Sequence, residues 1–297
     1  MTDHYAVIGN PIAHSKSPEI HAMFAKQTDQ DIAYTTLCCT PDAFISTVNT
    51  FREHGGKGLN VTQPFKQAAF DYADFLSDEA TMAGAVNTLW FREDGRCYGH
   101  NTDGLGLIRD LKAQNIDLTN KNILLLGAGG AARGALLPLL RQQPAELVVA
   151  NRTVEKANSL INSYKNLSQP PLIRGGAFIE NPSTNEEIPT KCLPPDKGGL
   201  RRVKVSCSPL NALTPQVFDI IINATSASLQ NVNLPLPDKI IGTETVCYDM
   251  AYQDELTCFL TWGKACGARR LLDGKGMLLQ QAAESFYLWR GIRPIIE

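Results

Sequence analysis

The sequence is short of the features that mark several protein classes. Its eight cysteines, Cys38, Cys39, Cys97, Cys192, Cys207, Cys247, Cys258 and Cys266, include no CxxC pair. Its five histidines, His4, His14, His21, His54 and His100, form no HExxH or close pair. Zinc-type ligand spacing is therefore missing, and no metal is expected. Charge of one sign is not in excess: 28 Lys and Arg face 30 Asp and Glu, for a net charge of −2. That balance offers no pull toward nucleic acid or an anionic membrane. No apolar run approaches the roughly 20 residues a membrane span needs. The opening MTDHYAVIGNPIAHSKSP has no basic stretch followed by an apolar one, as a secretory leader would. Cytoplasmic placement with reduced thiols is the expectation. No internal repeat is evident.

What is present is an ordinary globular composition, 43% hydrophobic and 20% charged. At 297 residues the chain exceeds what one core usually serves, so two α/β domains are expected. In the first hundred residues, strands are predicted at 5–8, 33–39 and 59–61. Residues 86–91 and 96–99 read as a hairpin turning through Asp94-Gly95. A helix is predicted over 18–26, with Ser17 as its cap, Pro18 in its first turn, and Ile20, Met23 and Phe24 on one face. Residues 41–53 are amphipathic, with Phe44, Val48 and Phe51 aligned.

The second half opens with an apolar strand at 123–126, a glycine-rich turn, and a helix to about 142 that contains Pro138. Strands follow at 147–150, 218–222 and 245–248. Residues 165–216 are rich in Pro, Asn, Ser and Thr and read as an enlarged surface excursion, with one candidate strand at 203–205. A long helix is predicted over 274–289.

Gly127-x-Gly129-x-x-Ala132 fits the dinucleotide pattern, with strand before it and helix after it. The first Gly permits the tight turn, the second lets a pyrophosphate approach the backbone, and the small third residue allows close packing. Ala128, Gly130 and Ala131 complete that turn. A site for NAD ends its second strand on an acid that accepts from the ribose hydroxyl. Here that strand ends Asn151-Arg152-Thr153, and Arg152 with Lys156 can hold a 2′-phosphate instead. NADP is the expected cofactor. The alternative is that both are merely solvated charges.

Four polar motifs stand in otherwise apolar contexts: Ser15-Lys16-Ser17-Pro18, Asn60-Val61-Thr62-Gln63-Pro64-Phe65-Lys66, Gly84-Ala85-Val86-Asn87-Thr88, and Gly99-His100-Asn101-Thr102-Asp103-Gly104. With Asn223-Ala224-Thr225-Ser226, Tyr248-Asp249-Met250-Ala251-Tyr252, Asp273-Gly274-Lys275-Gly276-Met277-Leu278 and Gln281-Ala282-Ala283, their order resembles the shikimate dehydrogenase family. The resemblance spans nearly the whole chain except the Pro-rich stretch. It departs at Ala227-Ser228, where a Gly is common in the family.

The resemblance implies a substrate domain (1–103 and 274–297) and a Rossmann-type, doubly wound NADP domain (104–273). A C-terminal helix returns to the first domain, and the 165–216 insert lies in the second. It implies reversible reduction of 3-dehydroshikimate to shikimate by a monomer or homodimer, with Lys66 and Asp103 as the catalytic pair that also touches substrate. Ser15, Ser17 and Tyr252 would hold the substrate carboxylate; Asn60, Thr62, Asn87 and Gln281 would orient ring hydroxyls. Thr225, Ser226, Met250 and Gly274 would lie along the cofactor.

These residue types suit that chemistry. Hydroxyls beside a helix N-terminus can bind a carboxylate without a buried Arg. Amides both donate and accept, and so read hydroxyl stereochemistry. A lysine ammonium can give a proton to a carbonyl oxygen and take it back in reverse. The alternatives are a structural Lys66–Asp103 ion pair or a lysine that only binds. At the level of the whole molecule, the rivals are a quinate/shikimate relative using NAD, a non-catalytic NADP-binding module, and a folate-linked dehydrogenase of similar layout. Asn223-Ala224-Thr225 also matches a glycosylation acceptor pattern, which occurs by chance.

Overall fold

The computed structural model describes residues 2–167 and 203–296. These form two compact units. One holds the described residues up to Gly106 and from Leu279 onward; the other holds those from Leu107 to Leu278. Among the described residues, no helix is long and apolar enough to cross a membrane.

The first unit begins with β1 (Asp3–Gly9), α1 (Ser17–Thr28), β2 (Ile32–Cys38), α2 (Phe44–Glu53), β3 (Gly56–Val61) and α3 (Lys66–Tyr72). It continues with β4 (Phe75–Leu76), α4 (Asp78–Ala83), β5 (Thr88–Phe91) and β6 (Cys97–His100). The six strands make one sheet in the order β2-β1-β3-β5-β6-β4. Its directions are mixed: β1 pairs parallel with β2 and β3, while β5 runs antiparallel to β3 and β6. The predicted hairpin forms, with Phe91 opposite Cys97, Gly95 at φ +78°, and Asp94 Oδ1 accepting from the Arg96 amide at 2.8 Å.

On one side of this sheet Ala6, Ile8, Leu59, Val61 and Leu89 pack with Phe44, Val48 and Phe65. Each such fully buried large side chain stabilises the unit by about 1.5–3 kcal/mol. Aromatics gather around α1: His21 stacks on Tyr34 at 4.2 Å and meets Phe24, Phe286 and Trp289. Trp289 also stacks on Tyr5 at 4.7 Å and donates its indole N–H to the Leu89 carbonyl at 3.0 Å. Gly58 is required beneath that ring, since a Cβ there would collide with the indole.

Two expectations for α1 are corrected. Ser17 does not cap the helix but is its first residue; the cap position is Lys16, whose backbone is already helical and which makes no side-chain cap bond. The hydroxyl that turns back is that of Ser15, which accepts from the Ser17 amide at 3.3 Å. Met23 is half exposed, and the inward face is Ile20, His21, Phe24 and Ala25. A buried histidine at position 21 rotates the apolar stripe away from Met23.

α5 (Asp103–Ala113) leads into the second unit, which contains β7 (Asn122–Leu126), α6 (Gly130–Leu140), β8 (Glu146–Asn151), α7 (Val154–Leu167) and β9 (Lys204–Pro209). β10 (Phe218–Asn223), β11 (Ile241–Asp249), α8 (Cys258–Ala265) and β12 (Arg270–Leu272) follow, and α9 (Lys275–Arg290) leaves it. All six strands run parallel in the order β12-β11-β10-β7-β8-β9. Ile123 to Leu126 are completely buried, which explains their unbroken apolar run: a parallel strand is covered on both faces. The chain winds outward from β7 through β8 to β9, then restarts at β10 beside β7. That reversal is the topological switch point of a doubly wound sheet, where ligands meet the carboxyl ends of the strands.

The excursion expected at 165–216 is partly corrected. Residues 168–202 lie outside the described residues. Residues 204–209 are an ordered edge strand, in register with β8 from Glu146↔Lys204 to Asn151↔Pro209. The strand expected at 203–205 is therefore present, beginning at Lys204 and running on to Pro209, with residues that are mostly half-buried.

Candidate active site

The polar motifs of the first unit converge. Lys66 opens α3 and Asp103 opens α5. The Lys66 ammonium donates to Asp103 Oδ2 at 2.6 Å, with the side chains 33% and 18% exposed. The pair is partly shielded yet open to a ligand. Asp103 gains further support from its place at a helix start, where the dipole favours negative charge. Its own amide is held by Asn101 Oδ1 at 3.1 Å, and Asn101 in turn donates to the Ala85 carbonyl.

Asn87, buried at the start of β5, is the hub. Its Nδ2 donates to Asp103 Oδ1 at 2.8 Å, to Thr102 Oγ1 at 2.9 Å and to Gln281 Oε1 at 3.3 Å. Its Oδ1 accepts from the Thr102 amide and from Thr88 Oγ1, both at 2.9 Å. One amide thus aligns the carboxylate that aligns the lysine. Asn60 forms a second hub: its Oδ1 accepts from the Tyr34 hydroxyl at 2.7 Å, and its Nδ2 donates to Ser285 Oγ at 2.9 Å. Ser285 and Thr88 share a 2.7 Å bond that ties the two hubs together. Burial pushes the Tyr34 phenol well above its ordinary range, and a bond with the Ser17 side chain pulls the other way. Ser17 therefore sits at the Tyr34 end of the same network. Thr62 closes the turn after β3, its amide donating to the Ile8 carbonyl and its methyl resting on Gly9.

Two histidines border this region and stay neutral. Burial lowers His21 to about 3, with the nearby Asn60 side chain opposing the shift, and neither ring nitrogen has a partner in hydrogen-bonding geometry. Burial lowers His100 to about 4, with Glu79 opposing it.

The second unit holds the other predicted group. Gly127 lies at φ +110°, a backbone that only glycine adopts easily, and its amide donates to the Ala150 carbonyl at 2.7 Å. A side chain at Gly129 or Gly130 would meet nothing within 4 Å. Gly129 stands at the cap of α6 with no side-chain cap bond, so the first-turn N–H groups have no side-chain acceptor at that position. Ala128 is buried and Ala131 half-buried beside them. An open cradle at the start of an apolar helix fits a pyrophosphate. At the end of β8, Asn151 donates to the Thr153 carbonyl at 2.8 Å, which shapes the turn that presents exposed Arg152, Thr153 and Lys156.

Across the switch point, Asn223 Oδ1 accepts from the amide and hydroxyl of Thr225 at 3.1 and 2.7 Å, leaving Ser226 exposed. The Met250 amide donates to the Asn223 carbonyl at 2.9 Å. Gly274 packs on the Met250 carbonyl, where a Cβ would collide. Tyr252 is 38% exposed in this unit. Asn223 is fully buried, which closes the apparent glycosylation pattern to modification. Among the described residues, no cluster of His, Cys, Asp or Glu could hold a metal.

Several members of the networks carry no signal by themselves. Thr88 and Thr102 stand next to residues singled out by sequence. Ser285 lies four residues after Gln281, on the same helical face, so periodicity offers a clue there. Tyr34 offers none.

Comparison with known proteins places these features in company. Three family profiles match: a shikimate dehydrogenase substrate-binding domain over residues 7–89, a shikimate/quinate 5-dehydrogenase over 110–172, and a shikimate 5′-dehydrogenase C-terminal domain over 274–295. The shikimate dehydrogenase (NADP(+)) of Cellvibrio japonicus is 45% identical, covering 99% of this chain and 94% of the relative. Among solved structures, an Ael1 enzyme from Pseudomonas putida is 42% identical with a TM-score of 0.83, over 99% of this chain and 95% of that one. The shikimate 5-dehydrogenase of Thermus thermophilus, solved with NADP(H) and shikimate, is 29% identical with a TM-score of 0.77, over the same shares.

Proposed function

Since the chain belongs to the shikimate dehydrogenase family, we propose that it catalyses the reversible, NADPH-dependent reduction of 3-dehydroshikimate to shikimate, a step toward chorismate and the aromatic amino acids. The observation that carries this reading is the 2.6 Å pair of Lys66 and Asp103, aligned by Asn87. The reaction is the exchange of a hydride and a proton across one C–O bond. The bound nicotinamide supplies the hydride. Lys66 supplies the proton to the carbonyl oxygen during reduction and recovers it during oxidation, while Asp103 holds the ammonium in place.

The other assignments follow the same reading. Ser15 and Ser17, with Tyr252, bind the substrate carboxylate; Asn60, Thr62, Asn87 and Gln281 read the ring hydroxyls. A site that hydrogen-bonds a hydroxyl rejects an analogue lacking it, because its buried polar groups are then left unpaired. The Gly127–Ala131 turn binds the pyrophosphate, and Arg152 and Lys156, with Asn151 and Thr153, bind the 2′-phosphate. Thr225, Ser226, Met250 and Gly274 line the nicotinamide half. One chain carries every residue named, so the activity calls for no second copy; monomer and homodimer both accommodate it. A cytoplasmic setting agrees with free thiols such as the buried Cys97 and Cys247.

The test is the absorbance of reduced nicotinamide with shikimate and with quinate, each offered NADP and NAD. Reduction chiefly with shikimate and NADP is expected. Comparable rates with quinate and NAD would assign the broader activity named by one of the matching family profiles. No reduction in any combination, with NADP still bound, would make the chain a non-catalytic binder.

A further inference from the structure

Behind the loops that follow β10 and β11 lies a charge that the proposed reaction does not use. Asp249 ends β11 and is completely buried. Its Oδ2 accepts from Ser228 Oγ at 2.5 Å and from Thr257 Oγ1 at 2.6 Å. Its Oδ1 accepts from the Ala251 amide at 3.0 Å and from Asn223 Nδ2 at 3.1 Å. All four donors are neutral, and Asp249 takes part in none of the ion pairs found among the described residues. A buried carboxylate is expensive unless fully hydrogen-bonded, and here each oxygen has two donors. Ser228, one of them, is itself buried.

The position of this charge follows from topology. In register, Leu126 lies beside Asn223, and Asn223 beside Asp249, at the carboxyl edge of the sheet. The glycine turn sits at the end of β7, and Arg152 follows β8 on one side of it. A dinucleotide laid across the switch point with its adenosine half toward β8 has its nicotinamide half toward β10 and β11. The two loops there are fastened by this carboxylate: Asn223 also holds Thr225, and the Asp249 bond to the Ala251 amide fixes the backbone on either side of Met250.

We propose that Asp249 is an electrostatic positioning residue whose buried carboxylate, held by neutral donors alone, biases the site toward the oxidised, positively charged nicotinamide. The inference rests on the cofactor site proposed above. Its physical basis is simple: the ring is cationic in NADP+ and neutral in NADPH, so a fixed negative charge nearby favours the first. The same bias eases loss of hydride from the reduced ring, the direction in which shikimate is made.

The experiment measures binding by fluorescence titration and calorimetry, for NADP+, NADPH and 2′-phosphoadenosine diphosphate ribose, which lacks the nicotinamide. Asp249→Asn removes the charge; Ser228→Ala removes one donor and keeps it. Asp249→Asn is expected to weaken NADP+ relative to NADPH on the order of three- to tenfold, with the ring-less analogue binding as before. Ser228→Ala is expected to leave that ratio within about twofold. An unchanged ratio in Asp249→Asn, with the analogue still bound, overturns the inference and leaves the cofactor site standing. If that variant does not fold, the unaltered protein decides: NADP+ binding at least as tightly as NADPH supports the bias, and NADPH binding tenfold tighter overturns it. Failure of the unaltered protein to bind any of the three would remove the cofactor reading itself.

Discussion

The side chains of Asn87 and Asp103 meet at 2.8 Å, with the Asn87 amide donating to the carboxylate oxygen that Lys66 leaves unoccupied. The arrangement fixes the Asp103 carboxylate from both sides, so the lysine has one orientation to adopt. Asn87→Ala is expected to lower kcat by roughly 10²-fold or more. It also strips the partner from the Thr102 amide, at about 1–3 kcal/mol for a buried group left unpaired, while the Thr88 hydroxyl keeps Ser285. Steady-state kinetics and urea unfolding measure the two effects. Native turnover in a destabilised variant would show that Asn87 serves the fold alone.

Lys66→Ala is expected to reduce turnover by about 10²–10⁴-fold, with NADP affinity unchanged because Lys66 and the glycine turn lie in different units. Lys66→Arg should not rescue, since guanidinium keeps its proton. Kinetics alongside calorimetric binding of NADP separates the two properties. Turnover near the native rate in either variant would take Lys66 out of the proton transfer.

Arg152→Asp is expected to cut kcat/KM with NADP by tenfold or more, on the order of one charge-assisted hydrogen bond, while NAD suffers much less. The variant removes a guanidinium and repels a 2′-phosphate. Equal losses with both cofactors would make Arg152 a solvated surface charge.

The two buried histidines predict acid sensitivity. In the folded state His21 sits at about 3 and His100 at about 4, against about 6.5 in an unfolded chain. As pH falls below about 6.5 the unfolded chain takes up protons that the folded chain refuses. Stability is therefore lost progressively down to those folded values, at up to about 1.4 kcal/mol per pH unit for each histidine. Above that window neither group contributes a slope. His21→Phe keeps an aromatic ring against Tyr34 and removes one proton acceptor. Its melting temperature should fall less steeply between pH 6.5 and 4.5 than that of the unaltered chain; parallel curves would refute the assignment.

Much of the fold and the site is legible in the sequence because the signals are local. The run from Ile123 to Leu126 ahead of Gly127 announces a buried parallel strand and a tight turn, and Asp94-Gly95 announces a hairpin. The edge strands of the second unit signal less. β9, exposed at Lys204 and half-buried beyond it, is expected only over 203–205, and β12, half-buried, not at all, because neither alternation nor a continuous apolar run develops. The cap of α1 escapes for a different reason: two serines flank Lys16, and only the backbone angles decide which hydroxyl turns back. Tyr34 is a support whose role comes from Asn60, 26 positions away. Asp249 combines near donors, Ala251 and Thr257, with Asn223 at the end of β10 and Ser228 just beyond it, and a strand-end position in the sequence does not disclose that set.

The bonds from α9 join residues far apart in sequence: 225 positions separate Asn60 from Ser285, 197 separate Thr88 from Ser285, and 194 separate Asn87 from Gln281. Contacts of such long range are made at the entropic cost of closing a very large loop. Until α9 docks, Asn60 and Thr88 lack the Ser285 hydroxyl that bridges them. The helix that completes the first unit is thus also a keystone. A chain interrupted before α9 would hold the Lys66–Asp103 motif without the network that steadies it.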